Sequence, residues 1–257
     1  MIITMIKRKT GQNFLVNKKV AEREIQYACI DKGDVVLEVG PGMGILTTLL
    51  AEKAKKVIAI EIDGELVDKL RQFLPDNVML IHDDALMVDF EKLPKFNKIV
   101  SNLPFNISSP ITFKFLDYIF SLAVLIYQKE FADRMIVKPG GKHYSRLSVG
   151  VYYKSCCEVV EMVSKTCFYP QPRVDSCMVR LSPREFPPFS VLDEAFFFDL
   201  TRELFNHRRK KIKNTLNELY EDIQFEDVPY IDRRVEELAP EQIGELSNVL
   251  FKMKHGF

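Results

Sequence analysis

The chain has 257 residues, 47% of them hydrophobic; that exceeds a typical domain of ~100–200 residues, so one large or two unequal domains are expected. Its 36 Lys and Arg balance 36 Asp and Glu, and a net charge of zero argues against polyanion binding by the whole surface while leaving room for a local basic face. Cys29, Cys156, Cys157, Cys167 and Cys177 are odd in number, form no C-x-x-C and meet no histidine at a metal spacing, which predicts reduced core thiols in a cytoplasmic protein, with neither disulfide nor metal site.

The start, MIITMIKRKT, lacks the apolar core of a signal peptide, and no stretch approaches the ~18 apolar residues of a membrane span. Three basic residues, Lys7-Arg8-Lys9, precede GQNFL at 11–15, whose residues taken alone read as an ordinary turn. Asn17 is placed to cap a helix with Ala21, Ile25, Ala28 and Cys29 on one face. A short apolar strand, 35–39, carries Glu38 near its end and runs into Gly40, Gly42 and Gly44. A helix over 45–54 follows, with Leu46, Leu49 and Leu50 on one face. Side chains on those glycines would block a ligand's approach, and the helix turns its first N–H groups and positive dipole end into the same space. The spacing is G-x-G-x-G rather than the G-x-G-x-x-G of dinucleotide folds. The second strand, 57–61, ends in Glu61, a carboxylate suited to two ribose hydroxyls. Both NAD and S-adenosylmethionine carry such a ribose.

Leu66, Leu70, Phe73 and Leu74 mark the next helix, broken by Pro75 and Asn77. A third strand, 78–81, leads to His82-Asp83-Asp84-Ala85, where Asp84 is positioned to accept from an adenine amine. A fourth strand, 98–101, enters Asn102-Leu103-Pro104-Phe105; Ser109-Pro110 starts a helix over 111–119; 121–127 is a fully apolar fifth strand. Apolar strands alternating with helices predict a parallel sheet covered on both faces. After residue 140 the pattern changes. Strands over 158–165 and 176–181, joined through Phe168-Tyr169-Pro170-Gln171-Pro172-Arg173, suit a closing antiparallel pair. Pro183, Pro187 and Pro188 form a linker. Beyond it only helical faces occur: Phe197, Leu200 and Leu204; Ile212, Leu216 and Leu219; Ile243, Leu246, Leu250 and Met253. The expected domains are 1–186 and 187–257.

NLPF carries the sharpest chemistry. An exocyclic amine is a poor nucleophile because its lone pair is delocalised into the ring. The Asn102 side-chain oxygen and the Leu103 carbonyl can each accept one N–H, holding the nitrogen near tetrahedral with its lone pair aimed at a methyl sulfonium. Pro104 fixes the backbone and removes a competing donor, and Phe105 offers a ring for the base, worth ~1–3 kcal/mol in stacking. No strong base is needed, because the nitrogen becomes acidic only once alkylated; positioning and electrostatics suffice.

On these residues the chain resembles the ribosomal RNA adenine dimethyltransferase family over nearly its whole length. GQNFL at 11–15, EVGPGMGILT at 38–47, IEID at 60–63, DDA at 83–85 and NLPF at 102–105 follow in the family's order. QKEFADRM at 128–135, YSRLSV at 144–149, FYPQPRVDS at 168–176 and LFNHRRKKIKNTL at 204–216 continue it. The resemblance implies an α/β fold: a Rossmann-like methyltransferase sheet, mostly parallel with a closing antiparallel strand, plus a small C-terminal all-helical domain that binds rRNA. It implies dimethylation of two adjacent adenosines near the 3′ end of small-subunit rRNA with S-adenosylmethionine, by a cytoplasmic monomer without membrane attachment. Asn13 and Leu15 would close over the cofactor, Gly40 contact its methionine part, Glu61 the ribose and Asp84 the adenine. Asn102 would lie near the methyl and orient the target amine, with the flipped base between Phe105 and Phe168. Many relatives have Tyr where this chain has Phe105; stacking survives that change, a hydroxyl role does not. The alternatives are a large-subunit rRNA methyltransferase of the antibiotic-resistance type and a non-catalytic RNA-binding assembly factor on the same fold. Arg208, Arg209, Lys210, Lys211 and Lys213, with no acid between Glu203 and Glu218, form the expected phosphate clamp, and Lys7-Arg8-Lys9 is the second candidate.

Overall fold

The structure, a computed structural model, describes residues 12–220 and 227–256; Lys7-Arg8-Lys9 and the glycine of GQNFL lie outside them. The elements in chain order are β1 (Phe14–Leu15), α1 (Lys18–Tyr27), β2 (Val35–Val39), α2 (Ile45–Lys53), β3 (Lys56–Glu61), α3 (Gly64–Leu70), β4 (Val78–His82), β5 (Lys98–Asn102), α4 (Ser108–Leu116) and β6 (Leu122–Gln128). Then come α5 (Lys129–Ile136), α6 (Arg146–Lys154), β7 (Ser155–Val163), β8 (Phe168–Tyr169), β9 (Ser176–Pro183), α7 (Glu194–Asn206), α8 (Ile212–Leu219) and α9 (Pro240–His255). Chain contacts divide them into two compact units. The first holds the described residues up to Ala132 and Cys157–Pro183; the second holds Asp133–Cys156 and the described residues from Arg184 on.

In the first unit, seven strands among the described residues form one sheet, ordered β4-β3-β2-β5-β6-β9-β7. The pairs β2–β3, β3–β4, β2–β5 and β5–β6 are parallel, and β9 is antiparallel to β6. The parallel strands are those that the alternating pattern predicts, and the whole is the Rossmann-like, mostly parallel sheet with a closing antiparallel strand that the resemblance implies. Strand order reverses at β2, so a crevice opens beyond the carboxyl ends of β2 and β5, the switch point where such sheets bind ligands. The Asn17 side chain accepts from the Lys19 amide at 3.0 Å and Asp63 caps α3 through the Glu65 amide at 3.0 Å, each satisfying an orphan helix donor. The β2–β5 ladder pairs only Val36 with Lys98 and Leu37 with Ile99. Higher up, the Ser101 hydroxyl replaces the backbone ladder: it donates to the Val39 carbonyl at 2.5 Å and accepts from the Val39 amide at 3.3 Å. A side chain, not the β5 backbone, thus satisfies the last residue of β2.

The second unit has its own core, in which Tyr144, Val149 and Tyr153 pack with Phe197, Leu200, Leu204, Ile212, Leu216, Ile243, Leu246 and Leu250. The Tyr153 ring meets Phe189, Phe197 and Phe198 at centroid distances of 5.0, 5.1 and 5.6 Å. Through these side chains residues 133–156 join the helices after residue 184, although they precede β9 in sequence.

Several local expectations need correction. The cysteines are free, but only Cys177 is a core thiol; Cys29 and Cys156 are exposed, Cys157 and Cys167 half-buried. Helix α1 stops at Tyr27, and Cys29, with φ +50°, leaves the buried face of Ala21, Ile25 and Ala28. The helix after NLPF ends at Leu116, leaving Ile119 91% exposed. GQNFL is more than a turn: Phe14 and Leu15 pair with Tyr169 and Phe168 in a separate two-stranded ladder.

Candidate active site

The carboxyl ends of β2, β3, β4 and β5 surround a cavity of about 320 Å³ within the first unit. Its walls include Asn13, Leu15, Gly40, Glu61, Asp84, Asn102, Leu103 and Phe105, so the structure brings together eight residues drawn from five separate stretches of sequence. Phe168 is the exception. It is 3% exposed and packs with Leu15, Val20, Ile25, Val163 and Met178 in the sheet's core. Its ladder partner, Leu15, is buried beside it, so the ring presents no open face opposite Phe105, and the expected two-sided sandwich is not formed here.

The glycine turn fits its surroundings at atomic contact. Gly42 has φ +56°, and a Cβ there would stand 2.8 Å from Phe14 Cδ1; Gly40 has φ +74°, and its Cβ would meet the Pro104 ring at 3.1 Å. Left-handed backbone and lack of space both call for glycine at these two positions. The Gly40 contact also packs the turn after β2 directly on the NLPF turn after β5. Pro104, at φ −59°, needs no donor there and supplies a flat apolar surface.

Glu61 is 5% exposed. Its Oε1 accepts from the Asp63 amide at 2.9 Å and its Oε2 from the Gly42 amide at 3.2 Å. Burial raises its pKa, against the lowering effect of those amides. The carboxylate is thereby fixed to the glycine turn it must work with. Glu38, one residue before the end of β2, also lines the cavity; burial pushes its pKa up to about 8. Behind it, Glu24 of α1 is wholly buried with neither carboxyl oxygen hydrogen-bonded, and burial holds its pKa well above the usual carboxylate range. Asp84 Oδ1 accepts from the Leu86 amide at 2.9 Å, and the Asp84 amide donates to Asp83 Oδ1 at 2.7 Å, a tight turn that keeps Asp84 on the wall.

At the end of β5, Asn102 Oδ1 is buried with no hydrogen-bond partner. Such an orphan is costly unless a ligand donates to it. Phe105 is half-buried beside it. Around the cavity stand Glu38, Glu61, Asp83 and Asp84 and, among the described lining residues, no Lys, Arg or His. With Glu38 held largely protonated by burial, Glu61, Asp83 and Asp84 remain as acids without a cation among the described lining residues, which disfavours a pyrophosphate and favours a ligand that is itself cationic. The pocket chemistry thus separates the two cofactors left open by the glycine turn. The orphan acceptor, the glycine cradle and the acidic walls fit S-adenosylmethionine, which carries a sulfonium and an ammonium.

The sequence reasoning missed Gln12, whose Nε2 reaches Asp63 Oδ2 at 3.5 Å, and gave Glu38 no role. Among the described residues no set of three or more His, Cys, Asp or Glu is arranged to hold a metal, and no helix is long and apolar enough to cross a membrane.

The basic stretch differs from expectation. Helix α7 ends at Asn206 and α8 starts at Ile212, so Arg208 to Lys211 occupy a turn, and Lys213 alone rides on a helix. Arg208 pairs with Glu236 at 2.7 Å and donates to the Lys142 carbonyl at 3.0 Å. Lys210 pairs with Glu218 at 2.7 Å and Lys211 with Asp232 at 3.2 Å. Two of these acids come from beyond residue 230, outside the window that looked acid-free. Arg209 and Lys213 are exposed and lie outside these pairs.

A family model described as "Ribosomal RNA adenine dimethylase" matches residues 3–252. "Probable ribosomal RNA small subunit methyltransferase A" of Thermococcus onnurineus (strain NA1) is 46% identical over 253 residues, 93% of this chain and 90% of the relative. The protein of the same name in Methanosarcina acetivorans is 42% identical over 254 residues, 95% of this chain and 93% of the relative. Among solved structures, a dimethyladenosine transferase from Plasmodium falciparum aligns with a TM-score of 0.76 at 29% identity, over 95% of this chain and 98% of that one. The 23S rRNA methyltransferase ErmE aligns at 0.66 and 28%, over 91% of this chain and 98% of that one.

Proposed function

Because the chain belongs to the ribosomal RNA adenine dimethylase family and is an S-adenosylmethionine-dependent rRNA adenine methyltransferase, we propose that it dimethylates two adjacent adenosines near the 3′ end of small-subunit rRNA. The observation that carries this is the buried, unpartnered Oδ1 of Asn102 beside the half-open ring of Phe105. S-adenosylmethionine, when bound, supplies an electrophilic methyl on sulfonium sulfur. Asn102 Oδ1 accepts one N–H of the target amine and the Leu103 carbonyl the other, which turns the nitrogen lone pair out of the ring. Phe105 stacks on one face of the base, and Phe168 supports β1 from the core. Asn13 and Leu15 close over the cofactor; Gly40 lets its methionine part approach; Glu61 holds the ribose; Asp84 accepts from the adenine amine. No side chain has to act as a strong base, since the proton leaves a nitrogen already made acidic by alkylation.

The first unit carries the chemistry, and the helical second unit holds rRNA, with Arg209 and Lys213 on phosphates. The protein acts as a monomer in the cytoplasm. Incubation with labelled S-adenosylmethionine and purified subunits should place label in small and not large subunits, and Asn102→Ala should bind cofactor near-normally while losing transfer by ~100-fold or more. Label in large subunits would favour the reading suggested by the ErmE likeness. Near-wild-type single-turnover rates for Asn102→Ala would remove its proposed role.

A further inference from the structure

Lys114 lies in the last turn of α4, the helix into which the NLPF turn leads. Its ammonium crosses to the loop after β4 and donates to the carbonyls of Ala85 at 2.9 Å, Leu86 at 3.0 Å and Val88. An ammonium has three donors, and all three go to one short loop. Nζ also stands 4.3 Å from the centre of the Phe90 ring, which stacks on Phe115 of α4 at 6.1 Å. A lysine in a solvated role would not converge on three carbonyls of another element. The loop it grips is the one that carries Asp84 and Ala85 into the cavity wall. Asp84 Oδ1 accepts from the amide of Leu86, the residue whose carbonyl Lys114 holds. The same side chain thus fixes the turn that orients Asp84 and joins it to the helix that continues from Asn102 to Phe105.

We infer that Lys114 is a positioning residue for adenine selectivity: its ammonium sets the Asp84 turn at a fixed place against the α4 side of the cavity without touching a ligand. This rests on the proposed role of Asp84 as acceptor of the adenine amine. Calorimetry with S-adenosylhomocysteine and S-inosylhomocysteine, in which a carbonyl replaces that amine, measures the selectivity as a ratio of Kd values. Lys114→Met keeps the apolar stem and removes the donors; it should cut the ratio by about tenfold, mostly by weakening the adenine compound. An unchanged ratio, or equal weakening of both compounds as simple loosening of the fold would give, overturns the inference. Lys114→Arg keeps the charge, but a planar fork does not converge on three carbonyls around one point, so it should give an intermediate ratio. If Lys114→Met fails to fold, an unchanged ratio in Lys114→Arg is the overturning result. Asp84→Ala separates the two claims. If it leaves the wild-type ratio intact, the reading of Asp84 fails. If it abolishes the ratio while Lys114→Met keeps it, only the role of Lys114 fails.

Discussion

At the scale of single residues, the site holds acids in states that water would not allow. Glu24 and Glu38 are both buried, and neither meets a cation among the described residues. For an acid whose folded pKa is raised, protonated folded chain and protonated unfolded chain coexist below the ordinary value near 4.5, and no penalty arises. As pH climbs past that value the unfolded chain ionises while the folded one keeps its proton, so stability falls with rising pH, and for Glu38 it does so until about pH 8. Glu24→Leu should therefore stabilise the protein by about 2 kcal/mol at pH 8, a rise in Tm of about 4–8 °C, and by much less at pH 5. Equal shifts in melts at both pH values would mean that packing, not ionisation, causes the gain. Much at this scale was legible in sequence. Gly40, Glu61, Asp84 and Asn102 each stand at a strand end, where chemistry follows from residue type and spacing. Phe168 was not, because whether its ring faces cavity or core depends on pairing with Leu15, some 150 residues away. Ser101 was equally silent, since a serine in a strand does not announce that it will replace a ladder.

Among the elements, those with a clear apolar period were predictable within a few residues, as α7 illustrates with its buried face of Phe197, Leu200 and Leu204. Helix α6 was not, because Leu147, Ser148, Val149, Gly150, Val151 and Tyr153 are all buried and a helix covered nearly all round has no polar face to give it a period. The turn between α7 and α8 misled in a different way. Its positive charge is partly cancelled by Glu218, Asp232 and Glu236, and Arg208 is tied into the second unit's own structure. Charge reversal at Arg209 and Lys213 should therefore weaken binding to small subunits and lower the slope of log affinity against log salt, by roughly 0.7–0.9 for each phosphate no longer neutralised. Cofactor affinity should not change. A wild-type salt slope in the double variant would move the rRNA-binding role to another face. Arg208→Ala should instead lower the melting temperature, because it leaves Glu236 half-buried without its guanidinium.

For the whole molecule, the path of the chain matters as much as its sheet. It leaves the first unit after Ala132, contributes α6 to the second, and returns at Cys157. Sequence composition suggested a boundary at the proline-rich stretch near residue 187, but the second core needs Tyr144, Val149 and Tyr153 from before it. A fragment of residues 187–257 should accordingly lack a cooperative melt and near-ultraviolet circular dichroism; a sharp transition would show that those three side chains are dispensable. The position of β9 has a consequence for biosynthesis. This strand lies between β6 and β7, yet it is made after both. While residues 129–175 are being translated, the apolar strand Leu122–Gln128 has β5 on one side and an empty edge on the other. An open edge of that kind invites strand pairing with other chains. Nascent or prematurely terminated chains ending before Ser176 would thus be the aggregation-prone species, and the final stretch up to Pro183 is what makes the newborn sheet safe to release.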